Sequence, residues 1–255
     1  MPFIKILLPG ILGGGILAYF AWASTHYLPE RLHPEGPADV TVMLAGLVFI
    51  FAFILGIAVS AETSTIGTAG TAASKEANSL GELWWYAHAL PEPEHSQLHG
   101  LLRSYATIMV SKDWPLLGRH QIGPEGSAAL RAIREDVLNY TPVTAKEQAL
   151  YPNELTEVAN LFEARRTRRD IAISGGIPPI LIDGIIVLAI LMLIGIPLSG
   201  SLHKTRDLVL YGLFCALTIA TLGFVVDLNN PFHGTVQVGP DALINLIGST
   251  FKNVS

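Results

Sequence analysis

The sequence predicts an all-α polytopic membrane protein with four transmembrane helices and a helical cytoplasmic block between the second and third. Three observations carry that expectation. Half of the 255 residues are apolar and only 15% are charged, against roughly a quarter charged in an average soluble domain. The apolar residues gather in four runs, each long enough to cross a hydrocarbon layer of ~30 Å at ~1.5 Å per helical residue. None of the four contains Lys or Arg. Lipid offers no water to bond backbone amides, so such runs must be helices.

Composition also excludes whole classes. A disordered chain would be poor in apolar residues and rich in charge. With 16 basic and 21 acidic residues the net charge is −5, so no nucleic-acid partner is expected. The single cysteine, Cys215, lies inside an apolar run. It rules out a disulfide within the chain and any zinc site built on paired cysteines.

Residues 1–61 form the first transmembrane hairpin. Its first run, Ile6 to Ser24, contains Gly13-Gly14-Gly15. Lys5, the apolar stretch and Ala21-Trp22-Ala23 also resemble a signal peptide with a small-residue cleavage site. The run exceeds a usual signal core, and a glycine triplet suits close helix packing in lipid, so a retained span is expected. The second run is Val40 to Ala61.

Residues 62–170 are a solvated block holding 11 of the 16 basic and 14 of the 21 acidic residues. From Ile66, small or apolar residues recur at Ala69, Ala73, Ala77, Leu80, Trp84 and Ala87, three or four apart, which is a helical stripe. It extends the second span as one long helix until Pro91 and Pro93 break it. A second helix carries Leu98, Leu101, Leu102, Tyr105, Ile108 and Met109 and ends at Asp113-Trp114-Pro115. A third carries Leu130, Ile133, Val137 and Tyr140. Thr144 through Glu147 has the capping-box pattern that opens a fourth, which Pro152 interrupts or restarts. The second hairpin, 171–227, holds the third run, Ile171 to Leu198, with Asp183 inside it. Its fourth run, Leu208 to Val226, has 19 residues, or ~28 Å as a helix. Residues 228–255 are a C-terminal tail.

Orientation follows from basic residues near the lipid. Arg165, Arg166, Arg168 and Arg169 precede the third span, whereas the loop from His26 to Asp39 carries Arg31 against three acids. The 62–170 block and, with four spans, both termini are therefore expected in the cytoplasm of a cell whose inner membrane holds the protein. Lys5 agrees, and Lys204 and Arg206 oppose. The four arginines are expected to meet anionic headgroups by default, or acids of the block.

Catalytic signals are absent from the sequence. There is no glycine-rich phosphate loop and no Gly-x-Ser-x-Gly nucleophile motif. His95 and His99 have the four-residue spacing of metal ligands, but without a matching carboxylate motif such a pair is more often an exposed helix face. His88 reads as a packing or surface residue. No enzyme, cofactor or metal is expected.

A series of motifs then resembles a known family. It comprises Glu76 to Leu83 (Glu-Ala-Asn-Ser-Leu-Gly-Glu-Leu), Leu90-Pro91-Glu92-Pro93, Tyr105 and Asp113-Trp114-Pro115-Leu116. Arg165 and Arg168 follow, then Ile177-Pro178-Pro179 and Asp227 to Gly234, with Val238 and Leu243 beyond. In order and spacing these resemble the bacterial bestrophin-like membrane family, from about residue 40 onward, with Asp113 where the family has Glu. The family label implies a distant relation to bestrophins, which are pentameric anion channels with four spans per subunit. Asn230-Pro231-Phe232-His233-Gly234 is similar to the Asn-Pro-Phe-Gly after their last span, with one residue inserted. The acidic calcium clasp of animal bestrophins does not carry over, because Thr235, Val236 and Gln237 follow and no acid appears until Asp241. Trp84-Trp85 lies too far from the second span to match the bestrophin tryptophan pair and reads as core packing.

The resemblance implies a homo-oligomer in the lipid bilayer, pentameric by analogy, that passes an inorganic anion. The second span would then line the axis, with Phe49, Phe53 and Ile57 on one face as a neck that gates by dewetting, and Glu62 at its cytoplasmic exit. Asp227, Asn229 and Asn230 would cap a tight turn before Pro231, and Phe232 would anchor it. The alternative is a non-conducting membrane protein whose cytoplasmic helices bind a partner.

Overall fold

The computed structural model of the chain describes residues 2–27, 37–198 and 204–251. Arg31 and most of its loop lie outside the described residues, as does the side chain of Lys5. Among the described residues every regular element is helical: α1 (Pro2–Tyr27), α2 (Pro37–Ala87), α3 (Glu94–Ile108), a π-helical segment (Met109–Asp113), α4 (Trp114–Leu117), α5 (Pro124–Asn139), α6 (Ala145–Ser174), α7 (Pro179–Leu198), α8 (Thr205–Leu228) and α9 (Asp241–Ser249). Stretches within Val42–Ala87, within Ala145–Pro197 and along Thr205–Leu228 are long and apolar enough to cross a membrane, whereas Leu8–Ala23 is a shorter apolar helix.

The chain packs as two compact units. One comprises Met1–Thr63 and Ile177–Asn229, and the other Ser64–Gly176 and Asn230–Ser255. The first, apolar unit combines α1, the start of α2, α7 and α8. Its α1 lies along α8 at glycine-mediated distance: a Cβ on Gly14 would sit 2.5 Å from the Gly212 carbonyl oxygen and 2.9 Å from Ala216 Cβ. That close approach is the use foreseen for small residues between helices in lipid. Phe51, Ala58, Ile185, Ala189, Met192 and Val225 form a second buried cluster, joining α2, α7 and α8. The Tyr211 hydroxyl donates to the Leu193 carbonyl at 2.6 Å, so its polar end is satisfied.

The second, charged unit has a core of its own, in which Leu80, Leu83, Trp84, Leu98, Leu102, Tyr105, Met109, Leu117 and Ile133 are shielded from solvent. α2 supplies the stripe expected from Ala69 to Ala87 and continues through it as one 51-residue helix. α6 opens on the expected capping box: the Thr144 hydroxyl accepts from the Glu147 amide at 3.2 Å, and Glu147 Oε2 accepts from the Thr144 amide at 3.2 Å.

Three boundaries differ from the sequence expectation. Pro152 neither ends nor restarts α6. It falls in the helix's third turn, and the helix runs on to Ser174. The second helix of the block does not stop at Asp113. It widens into the π segment and enters α4, where Pro115 takes an early position that requires no amide hydrogen. The third apolar run is split, because Ile171–Ser174 belong to α6, and Gly175 through Pro178 interrupt the helix before α7. Consecutive prolines at 178 and 179 disfavour helical backbone in the residues before them, which sets that break.

Candidate functional site

The interior of the charged unit holds a group of acidic, basic and phenolic side chains that the core encloses. Glu76 comes from α2, Tyr105 from α3, Asp113 from the π segment, and Arg165 and Arg168 from α6. Glu76, Tyr105 and Arg168 are 0% exposed, Asp113 1% and Arg165 2%. At this burial each charge needs a partner, because an isolated one would be too costly to keep.

The partners are present. Arg168 Nη2 lies 2.9 Å from both oxygens of Glu76. The Tyr105 hydroxyl donates to Glu76 Oε1 at 2.5 Å. Arg165 Nη2 lies 2.8 Å from Asp113 Oδ2 and 3.5 Å from Ser127 Oγ. Met109 Sδ sits between the two guanidiniums, 3.6 Å from Arg165 Nη1 and 3.3 Å from Arg168 Nη2. The Arg168 guanidinium carbon also lies 4.3 Å from the centroid of the Trp114 ring, so the ring face adds a cation–π contact. Two acids against two arginines leave no net charge. Burial, and then the Glu76 charge, push the Tyr105 phenol well above its ordinary range, so Tyr105 stays a donor at any physiological pH.

Local helix geometry explains how these residues meet. Arg165 and Arg168 are three apart and therefore share a face of α6. That face also carries the buried Val158, Leu161, Ala164 and Ala172. Tyr105, Met109 and Asp113 would drift by ~80° over two turns at the α-helical 3.6 residues per turn. The wider π turn takes part of that drift back and keeps Asp113 aimed inward, a recurrent use of such turns at special sites.

This arrangement corrects the expectation for the arginines. Arg165 and Arg168 bind acids inside the unit and are not free to meet headgroups. Arg166 is exposed and pairs loosely with Asp170 at 3.7 Å. The basic cluster that argued for orientation is thus halved in effect.

The post-span motif is built into the same unit. Asn230 Nδ2 donates to the Gly118 carbonyl at 3.1 Å, and Asn230 Oδ1 accepts from the Phe232 amide at 3.2 Å. Pro231 and Phe232 are buried. The Phe232 ring meets Trp114 edge to face at 6.0 Å, and Trp114 Nε1 donates to the Val238 carbonyl at 3.0 Å. Gly234 turns the chain at φ 128, a conformation that favours glycine. In the apolar unit, Asn229 Oδ1 accepts from the Ile177 amide at 3.1 Å. Asn229 therefore ties α8 to the segment before α7, a longer-range contact than the local cap expected of it. Asp227, half-buried at the end of α8, also belongs to the apolar unit.

The second-span candidates separate. Phe49, Phe53 and Ile57 are 71%, 61% and 50% exposed, and the two phenyl rings stack at 6.5 Å. Glu62 is 0% exposed. It lies five residues beyond Ile57, about 140° around the helix, and is turned into the apolar unit, so it does not share the face of the other three. Trp84 packs in the core at 1% exposure, while its neighbour Trp85 is 59% exposed.

The histidines meet as sequence spacing alone did not show. His88, His95 and His99 have ring centroids 4.3–5.2 Å apart. His88 Nδ1 and His99 Nε2 both hydrogen-bond the Trp84 carbonyl, at 2.9 and 3.1 Å. Among the described residues no three His, Cys, Asp or Glu side chains are placed to hold a metal ion.

Fold and interior together define an all-helical, membrane-embedded protein whose charged unit is pinned by a neutral network of buried ions. Comparison with known proteins gives that class a family. A family model described as the Bestrophin-like domain matches residues 16–243, and the chain belongs to that family. Among solved structures, a variant of a bacterial bestrophin homologue from Klebsiella pneumoniae is 17% identical with a TM-score of 0.69, covering 99% of this chain and 98% of its own. The zinc-phased form of the Klebsiella pneumoniae homologue is 13% identical with a TM-score of 0.62, over 98% and 97% of the two chains. A structure described as a membrane protein reaches a TM-score of 0.70 at 15% identity, over 98% and 97%. At these identities the likeness concerns the fold. No curated protein matches the sequence.

Proposed function

We propose that this protein is the subunit of a homo-oligomeric ion channel, pentameric and anion-passing by analogy with bestrophins. It would cross the inner membrane four times with both termini in the cytoplasm. The observation that carries the reading is the row of Phe49, Phe53 and Ile57, large apolar side chains left exposed on one face of α2. Brought together around an axis, these rings would form a narrow apolar neck that passes ions only when wetted. The fold likeness to bacterial bestrophin homologues supports the assembly, and the neutral, pinned interior of the charged unit supports a scaffolding role for that block over a catalytic one.

The test is conductance of the purified oligomer in planar bilayers. Wild-type protein gives discrete currents, and Phe53→Ala, which widens the neck, changes their amplitude or open fraction severalfold. Silent bilayers from a well-folded oligomer would reject the channel. A monomer or dimer in detergent that captures a specific protein by cross-linking would favour the partner-binding alternative.

A further inference from the structure

A cavity of about 640 Å³ opens inside the charged unit, lined by α3, α5, the loop after α5 and the start of α6. That volume is in the range of small-molecule sites, roughly 300–1,000 Å³. Four of its lining residues are acids, Glu94, Asp136, Glu147 and Glu154, and no Lys, Arg or His lines it. Three of the four have work to do in the fold. Glu94 stands in the first turn of α3, where a carboxylate faces the positive helix end. Asp136 accepts from the Gln97 amide. Glu147 holds the Val143 and Thr144 amides.

Glu154 has no such role. It is 4% exposed and lines the cavity, and among the described residues no hydrogen bond or ion pair reaches it. A carboxylate in that position is costly unless it takes up a proton or a group outside the chain supplies a counter-charge. The acids do not form a metal-ligand set, and apolar side chains such as Leu98 and Val137 lie among them. Such walls suit methylene groups, not a hydrated ion. We infer that the cavity is a binding site for an aliphatic di- or polyamine, with one ammonium on Glu154 and another held by the remaining acids.

The electrostatics agree with this assignment. Burial, and then the neighbouring Asp136, push the Glu154 carboxyl up to about 7. Burial and Glu94 raise Asp136 as well. Glu147 and the Tyr140 phenol face the same space, and Tyr86 of α2 also feels the Glu154 charge. The sign follows: below neutral pH Glu154 is protonated and offers no charge, and above it the carboxylate is free to hold an ammonium. Affinity therefore rises from pH 6 to pH 8, and binding near pH 7 releases a proton.

The test is calorimetric titration of the full-length protein in detergent with 1,5-diaminopentane, and with 1,5-pentanediol as its uncharged counterpart. The diamine is expected to bind wild type at pH 8 and at least about fivefold more weakly at pH 6, while the diol gives no binding. Glu154→Gln, which removes the charge and no protein partner, should weaken the diamine at least tenfold. Glu94→Gln, in the half-exposed first turn of α3, should weaken it about threefold and provides a second handle. Asp170→Asn, 16 residues along α6 and thus ~24 Å away, should leave affinity unchanged. Equal affinity in wild type, Glu154→Gln and Glu94→Gln would overturn the assignment. So would displacement of the diamine by magnesium and not by potassium at equal ionic strength, or engagement of the site by a basic protein segment and by no small amine.

Discussion

Replacing Glu76 by Gln removes one charge from the interior of the charged unit and leaves its shape unchanged. The Tyr105 hydroxyl, 2.5 Å from Glu76 Oε1, can still donate to the amide oxygen. Arg168 cannot be satisfied, because its counter-charge at 2.9 Å is gone and it is 0% exposed. Breaking one half of a buried ion pair typically costs about 3–5 kcal/mol. Globular units are stable by only about 5–15 kcal/mol, so the variant gives up a large part of its margin. For a unit of this size each kcal/mol moves the melting temperature by about 2–4 °C, and the expected fall is on the order of 10 °C.

The assay is thermal unfolding of the detergent-purified protein, followed by circular dichroism and by tryptophan fluorescence. Trp114, against Arg168, lies in the affected region. The informative comparison is the double variant Glu76→Gln with Arg168→Met. It removes both charges and should recover much of the loss, since the buried guanidinium left without a counter-charge is the costly element and is gone. A Glu76→Gln protein that melts within about 2 °C of wild type, or a double variant less stable than the single one, would refute the claim that this pair is the compensated core of the network.

Two further expectations concern other parts of the molecule. Gly14→Val would place a Cβ 2.5 Å from the Gly212 carbonyl oxygen and 2.9 Å from Ala216 Cβ. Neither neighbour can yield as a flexible side chain would, so α1 must part from α8. The measurable result is a lower yield of monodisperse protein and accelerated proteolysis of the first helix, and undiminished yield with native resistance would contradict it. For pH, the Glu154 carboxyl at about 7, raised from 4.5 by burial, means that the folded state binds more protons than the unfolded one between those values. Stability from this group is therefore present at low pH and lost as pH rises through about 7. The melting temperature of wild type should fall more between pH 5 and pH 8 than that of Glu154→Gln, and parallel profiles would exclude the raised carboxyl.

Much of the candidate site was legible as residue types and little of it as geometry. Glu76, Tyr105, Trp114, Arg165 and Arg168 stand out as motif residues, yet reading the arginines by their nearness to a lipid run made headgroups their default partners and acids of the block only the alternative. A usable signal was present. Arg165 and Arg168 fall on the same helical stripe as Val158, Leu161 and Ala172, whereas Arg166 does not, and charges on an apolar stripe point to internal partners. Glu62 shows a related effect. Its position after a span suggested an exit, while its angle around the helix, five residues past Ile57, sets it on another face.

By itself the sequence determined that the chain is helical, that it is a membrane protein, where α6 begins, and to which family the motif series belongs. Each of these depends on residues close together in the chain: run length against bilayer thickness, a capping pair three residues apart, the spacing of a helical stripe. Only the tertiary structure decided that Glu76 meets Arg168 across 92 positions, that Phe232 seals Trp114, and that acids of α3, α5 and α6 share one cavity with Glu154 unpaired at its wall. Such contacts arise when helices far apart in sequence choose faces to bury, a choice governed by the packing of the whole unit and not by any local pattern.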